Sequence, residues 1–495
     1  MKPTNSFAAR VENIFTYINS VNPYFLTVLI ISAHYLGFTL TSNEEIYFPL
    51  AKHFADPSWL SHSFVVKEWP GTRVLYQYIA GFMLKYMSFE NVAFYGRLII
   101  FLISAYPLTK LFKLFKFSNI SFLILLEIFL ISQSWIGGEY IFENFEPKSF
   151  AYIFVLFSLH LLVKGKYWQS IALASLASYF HILVGGWYTA FALTYILAYE
   201  KKFILPIKLG IMYVVIVSPF VYYLSQHIFE SGSLINGVNI DWVYTFYRNP
   251  HHTAPLSRPD ALKVVWPSII QMIVMMIFII SVMRKNKGLY TNKLYIMNLV
   301  LFTMIWIALF TSVINTSGSF LKYYLFRINT VGALMFYIYL FWWIKRYHPK
   351  FARKATYFAF FLLFIPSLIG RTTGNIKRGF LREPNPNYIE LVDYIKKNTK
   401  QSDILIEHCK MPLSLLRRTE RETFVNFKMV PGGGEKIYEW YIRMELLNEF
   451  RENVNTLIDI KSEYPIHYLI SKEKLNQDYL TLKHSNPEYF LYKIN

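Results

Sequence analysis

The sequence predicts a mainly α, polytopic membrane helix bundle of about eleven transmembrane helices, with a small α/β domain at its C-terminal end. Three observations predict it. The 495 residues are 54% hydrophobic and 19% aromatic but only 16% charged, a balance far from that of soluble globular chains. Apolar runs near the ~20 residues that cross a bilayer recur over the first 370 positions. Beyond Gly370 the composition changes sharply and short strand-like runs replace the apolar ones. In a soluble chain the net charge of +19 would suggest nucleic acid. Here Lys and Arg sit in short gaps between apolar runs, as membrane topology demands, so no nucleic-acid partner is expected. The one cysteine, Cys409, excludes an intramolecular disulfide.

The runs lie approximately at 22–41, 91–109, 119–136, 148–163, 167–183, 185–199, 203–224, 264–283, 294–314, 323–344 and 355–370. The first lacks a small-residue cleavage site and reads as a retained helix rather than a signal peptide. With the N terminus in the cytoplasm, the basic gaps KLFKLFK (110–116), KGK (164–166), EKK (200–202), RKNKGLYTNK (284–293) and KRYHPKFARK (345–354) all fall on the cytoplasmic side. Counting 73–88 as a span would export them. Its polar residues Arg73, Gln77 and Lys85 recur at multiples of four, so it reads as an amphipathic helix in the outer interface. The outward loops are then 42–90, 137–147, 225–263 and 315–322. The chain divides into a transmembrane domain, 1–370, and an extracytoplasmic α/β domain, 371–495. In the latter, Asn385 or Asn387 is placed to cap a helix over NPNYIELVDYIKKN, strands are expected at DILIEH, TFVNF, IHYLIS and YFLYKI, and a helix at GEKIYEWYIRMELLNEF.

Polar residues in or just below the outward loops are the candidates for chemistry. Glu44 and Glu45 follow the first span, where burial raises a carboxylate's pKa and a base can meet a lipid-linked substrate; a solvated loop start is the plain alternative. In GGEYIFENFEPKSF, Glu139, Glu143 and Glu146 fall at i, i+4 and i+7 and repel one another on a helix face unless a cation or a polar ligand compensates. Glu146-Pro147-Lys148 also reads as a helix start. Arg97, Glu127 and Arg327 sit inside spans, which is costly and marks functional candidates. An Arg97–Glu127 pair is the structural reading of the first two. Arg327, after Lys322 at the mouth of its span, has no acid near it in sequence and suits an anionic phosphate. The long loop YRNPHHTAPLSRPD offers Arg248, His251 and His252 for substrate contact; adjacent histidines are poor joint metal ligands in an extended chain. His181 lies at the tight turn between the fifth and sixth spans, where a histidine commonly bonds a helix end. PGGGEK in the tail lacks the spacing of a phosphate loop and is rejected as a nucleotide site.

The layout, with NEEIYFPLAKHFADPSWL after the first span and LLRRTERETFVNFKMVP and IYEWYIRM in the tail, resembles the GT-C membrane glycosyltransferases. These include protein O-mannosyltransferases, aminoarabinose transferases and oligosaccharyltransferases. The resemblance covers nearly the whole chain and is carried mostly by architecture. It implies an integral protein of the cell (inner) membrane that moves a sugar from a polyprenyl-phosphate-linked donor to a glycan, lipid or protein acceptor on the outer side, with inversion. It places an acidic base or acceptor-orienting residue in the first outward loop, hence on Glu44 or Glu45. The family's usual aspartate is a glutamate here. No WWDYG-like motif is present, so asparagine is not the expected acceptor. Arg97, Lys148, Arg248 and Arg327 would face the leaving phosphate, with Glu143, Glu146, His181, His251, His252 and Lys322 about the same donor and acceptor sites. No metal site is read, and a divalent cation is left open. The alternatives are a transporter or flippase, or a polymerase, for lipid-linked saccharides. Transporters place their polar site near midplane between related halves, and no duplicated half is evident.

Overall fold

The computed structural model describes residues 7–67, 69–228, 234–283 and 289–495. In chain order its first ten long helices are α1 (Phe7–Ser20), α2 (Pro23–Tyr35), α3 (Glu44–Ala55), α4 (Val74–Tyr86), α5 (Phe89–Lys113), α6 (Asn119–Ile131), α7 (Pro147–Val163), α8 (Tyr167–Phe180), α9 (Ile182–Glu200) and α10 (Ile204–Ile228). Among the described residues, seven helical stretches are long and apolar enough to cross a membrane: α5, α9, Ile204–Gln226, Ala261–Ser281, Asn292–Ile314, Leu321–Tyr347 and Pro349–Gly379. Residues Glu12–Ser20 of α1 together with α2, bent by 101° at their break, would form an eighth. Helices α6 and α7 are apolar but shorter, and α8 has 14 residues. The chain is therefore mainly α and of polytopic membrane type. Each run expected from sequence falls on a helix, although the first leaves it at Tyr35 rather than near residue 41 and the third at Ile131 rather than near residue 136. Residues 284–288 of the expected basic gap 284–293 lie outside the described residues.

The chain forms two compact units. One comprises residues up to Phe38, Ala93–Tyr222 and Asn249–Phe380; the other comprises Thr39–Val92, Tyr223–Arg248 and Leu381–Asn495. In the first, helix starts follow local chemistry. The Asn22 side chain accepts from the Tyr24 N–H ahead of Pro23 at the first turn of α2, and Ser118 caps α6. Glu146 occupies the N-cap of α7 with Pro147 first in the helix, as its sequence suggests. Gly96 on α5 lets the loop after α6 approach closely, because a Cβ there would stand 2.4 Å from the Phe145 ring.

In the second unit α3 packs on α4, and Gly81 allows it: a Cβ would come within 2.7 Å of the Ala51 carbonyl oxygen. The expected outward polar face of α4 is corrected. Gln77 is buried, while Tyr78, Phe82 and Tyr86, at i, i+4 and i+8, are 63%, 65% and 75% exposed. Lys85 of the expected polar set is exposed and Arg73 half-buried, whereas Gln77 packs against the unit's interior, so the exposed stripe is largely aromatic.

The tail folds around a five-stranded mixed sheet. Its strands are β3 (Ile404–Glu407), β4 (Glu422–Thr423), β5 (Tyr468–Ser471), β6 (Leu480–Ser485) and β7 (Phe490–Ile494), and a short hairpin, β1 (Leu234–Ile235) with β2 (Val238–Asn239), precedes them. The order is β4-β3-β5-β7-β6. Strand β3 runs parallel to β4 and β5, whereas β7 is antiparallel to β5 and β6. The helix Pro386–Asn398 is capped by Asn385, and Gly434–Glu452 buries Trp440, Met444, Leu447 and Phe450 in the core with Ile406, Leu469 and Tyr492. Edge strand β6 escapes sequence reading because its residues are mostly half-buried or exposed and carry Lys483 and His484.

Candidate functional site

In the first unit, the loop that joins α6 to α7 buries charge. Glu139 is 3% exposed, Glu146 1% and Lys148 5%. The Arg327 Nη1 donates to Glu139 Oε2. Lys148 Nζ stands 3.6 Å from Glu139 Oε1 and 3.7 Å from Glu146 Oε1, and 3.4 Å above the Tyr140 ring centre. The Tyr152 hydroxyl lies 3.1 Å from both Glu139 Oε1 and the Arg327 carbonyl oxygen. Asn144 Nδ2 donates to the Tyr140 hydroxyl at 2.7 Å and to Glu146 Oε1 at 3.2 Å. Burial pushes the Glu139 carboxyl upward, but Arg327 and then Lys148 hold it below the ordinary carboxylate value. Burial, followed by Glu146 and Glu143, drives the Tyr140 phenol well above its usual value, so it keeps its proton. The expected helical face of Glu139, Glu143 and Glu146 does not form. The segment is loop, and cations supplied by α7 and by residue 327 separate its carboxylates.

His252 and His181 belong to the same unit. The His252 Nδ1 bonds to the Gly137 carbonyl at 2.7 Å, and its ring lies 4.0 Å from that of His251. Burial, followed by His251 and Arg327, puts its pKa well below the free value. His181 starts α9, accepting from the Val184 N–H at 3.4 Å. Burial and then Arg327 push it down to about 3. Both rings are neutral at pH 7, so the positive charge of this cluster rests on Arg327 and Lys148. Lys322 lies 5.8 Å from the Tyr323 ring centre, and Arg327 stacks 4.5 Å over Tyr324, a residue with φ of 51°. The expected Arg97–Glu127 pair is replaced by other bonds. Arg97 donates to the Tyr35 and Gly37 carbonyls. Glu127 lies 2.8 Å from His34 Nε2 and accepts from Ser367 Oγ at 2.6 Å, partners far from it in sequence.

In the second unit, Glu44 and Glu45 open α3 with different partners. Glu44 is fully buried. Its Oε2 accepts from the Thr41 N–H at 2.9 Å and the Thr41 hydroxyl at 3.2 Å, while Thr41 Oγ1 accepts from the Glu44 N–H at 3.4 Å. This is a reciprocal capping box. Glu45 receives a two-pronged bond from Arg417, Nε to Oε2 at 2.8 Å and Nη2 to Oε1 at 2.9 Å, and Arg417 Nη1 also reaches Glu90 at 3.0 Å. Arg248 donates to the Lys428 carbonyl at 2.9 Å and stacks 5.0 Å from the Phe427 ring centre. Glu422 accepts from the Phe64 N–H at 2.6 Å, and burial pushes its carboxyl up to about 7.

The structure thus brings Glu139, Glu146, Lys148 and Arg327 together in one unit, and Glu45 with Arg417 and Glu90 in the other. Glu143 is half-buried beside the first cluster. Sequence reasoning missed Tyr152, although it follows Lys148 by four residues on α7 and shares its face. It also missed Arg417, which no local signal links to Glu45. Among the described residues no three His, Cys, Asp or Glu side chains converge as metal ligands would.

No protein-family model matches the chain, and no curated protein matches it. Among solved structures, ArnT from Cupriavidus metallidurans, crystallised bound to undecaprenyl phosphate, aligns over 99% of this chain and 98% of its own at 10% identity and a TM-score of 0.49. The Archaeoglobus fulgidus oligosaccharyltransferase, crystallised with zinc and sulfate, aligns over 91% of this chain and 68% of its own, at 10% identity and a TM-score of 0.46. The chain is similar in layout to these two proteins, and by its own helices and sheet it is a mainly α polytopic membrane-type protein with a small mixed sheet in its C-terminal part.

Proposed function

We propose that the chain is a GT-C-type membrane glycosyltransferase that moves a sugar from a polyprenyl-phosphate carrier to an acceptor hydroxyl on the extracytoplasmic side, with the N terminus in the cytoplasm. The observation that carries this reading is the buried group of Arg327, Lys148, Glu139 and Glu146 at the loop 137–147. Two cations kept in a dry recess by carboxylates can turn to a phosphate oxygen as charge develops on it, and there they act more strongly than in water. Lys148, 3.6–3.7 Å from both carboxylates, is the cation freest to exchange partners, while Arg327 is locked to Glu139 and fixes the recess. In the reaction the acceptor oxygen bonds the sugar's anomeric carbon from the side opposite the phosphate. The carbon–oxygen bond to the phosphate breaks, its electrons leave on the polyprenyl phosphate, and the acceptor proton passes to a carboxylate.

Of the opening pair, Glu45 is the residue proposed to meet the acceptor, as base or orienting group, since Glu44 is committed to the helix start. Arg97, Arg248, Glu143, His181, His251, His252 and Lys322 are proposed as donor or acceptor contacts of lesser weight.

Transfer from a synthetic polyprenyl-phosphate-linked sugar to an endogenous acceptor extract tests the reading. Lys148→Gln is expected to lower the rate by roughly a hundredfold, the scale for loss of one charge-stabilising group, with the fold intact by circular dichroism. Wild-type turnover in that variant and in Glu45→Gln would overturn the assignment of both residues. Alternating access detected by cysteine labelling from both faces would replace the transferase with a transporter.

A further inference from the structure

Away from the loop 137–147, at the lysine-bearing ends of α5 and α7, the first unit has an open cleft of about 490 Å³. Lys110 and Lys113, one turn apart on α5, line it together with His160 and Lys164, one turn apart at the end of α7; Tyr106 and Phe157 form its apolar wall. The two rings lie 6.0 Å apart, and Lys110 Nζ stands 5.2 Å from the Tyr106 ring centre. His160 Nδ1 has no hydrogen-bond partner among the described residues.

Further cations crowd the same end. Lys345 Nζ bonds to the Lys116 carbonyl and Lys293 Nζ to the Val163 carbonyl, so both ammonium groups are taken up by backbone oxygen. None of Lys110, Lys113 and Lys164 has an ion-pair partner among the described residues, and the flanking stretches 110–118 and 164–168 contain no Asp or Glu. Like charges one helical turn apart repel. The negative ends of two helix dipoles offset part of that charge, but they do not explain a recess with an aromatic wall. Glu200, the acid at this end, accepts from the Tyr167 hydroxyl and pairs with none of the three lysines, so Lys110, Lys113 and Lys164 call for an anion from outside. A cleft of this volume holds one phosphate-bearing group with its ester arm along the rings, and basic pockets between membrane helices bind such head groups.

We propose that this cleft binds a phosphate ester through Lys110, Lys113 and Lys164, with Tyr106 and Phe157 against its organic arm. The ester has two possible sources, the phosphodiester head of an anionic phospholipid or a soluble phosphate. Native mass spectrometry of the full-length chain in detergent, titrated with phosphatidylglycerol, with phosphatidylcholine and with inorganic pyrophosphate, separates them. Preferential binding of phosphatidylglycerol assigns the lipid source, and binding of pyrophosphate without it the soluble one. For whichever binds, the triple variant Lys110→Gln, Lys113→Gln, Lys164→Gln should weaken it about 100-fold, near fivefold per lysine. Tyr106→Ala keeps every charge and should weaken phosphatidylglycerol binding several-fold, while leaving that of pyrophosphate, which has no organic arm, within twofold. Lys350→Gln with Lys354→Gln, on another basic stretch, should leave it within twofold of wild type. If the triple variant matches this control, or if none of the probes binds, the proposal is overturned. Because the assay reads binding, its outcome is independent of sugar transfer.

Discussion

Two acidic stretches that look alike in sequence, TSNEEI at the start of α3 and GGEYIFENFEP before α7, end in different chemistry. In the first, one carboxylate closes the helix start upon Thr41 and the other is gripped from both sides by Arg417. In the second, two carboxylates and two cations share one recess with Tyr152 between them. The first arrangement anchors α3: Glu44 is committed to the helix start, and Glu45 is held by an Arg417 that it shares with Glu90. In the second, Lys148 sits at distances longer than a direct hydrogen bond, so its charge can be redirected. Acidity along the chain is therefore no measure of reactivity; the partners are.

The comparison can be broken experimentally, starting where the effect is largest. Arg327→Met leaves the buried Glu139 with Lys148 alone and should cost about 4 kcal/mol, the scale for breaking a buried pair from one side. Unfolding in detergent measures this, and adding Glu139→Gln should recover part of the loss. Simple addition of the two losses would show that the pair is not coupled.

Next comes Glu422, which holds the Phe64 N–H in the second unit. Its folded pKa, raised from 4.5 to about 7 by burial, means that the native chain keeps this proton longer than the unfolded one. Its contribution to stability is full below about pH 4.5 and is lost as pH rises to about 7, a change of roughly 3 kcal/mol at most. Glu422→Gln should flatten that slope; an unchanged pH profile would reject the shift.

Arg417→Gln should cost about 2 kcal/mol through lost charged hydrogen bonds. A double-mutant cycle with Glu45→Gln isolates the Glu45 share from that of Glu90. The smallest effect is expected for Thr41→Ala, about 1 kcal/mol for loss of a helix cap. If Thr41→Ala costs more than Arg417→Gln, the cap rather than the ion pair anchors α3, and the contrast between the two stretches has to be redrawn.

Local chemistry was readable wherever the partner is a neighbour in sequence. Pro147 after Glu146 starts α7, Asn385 caps its helix, and DILIEH, IHYLIS and YFLYKI form strands. It failed where the partner is distant. Arg97 and Glu127 both sit inside spans, which suggests a pair, but Glu127 is met by His34 and Ser367 instead. Gln77 shares a helix face with Arg73 and Lys85 but is buried, because polarity alone does not say which side of a helix another helix will cover.

The sequence by itself determined the class of this protein, the order of its apolar helices, the composition change near residue 370 and the positions at which charge enters the membrane segments. Those follow from hydrophobicity, charge and capping, which act over a few residues and need no knowledge of the rest of the chain. Tertiary structure alone decided which charge meets which. The partners Glu139 and Arg327 are 188 positions apart, and Glu45 and Arg417 are 372 apart. A buried ion is tolerated only beside its counter-charge, and folding, not proximity in the chain, supplies that neighbour.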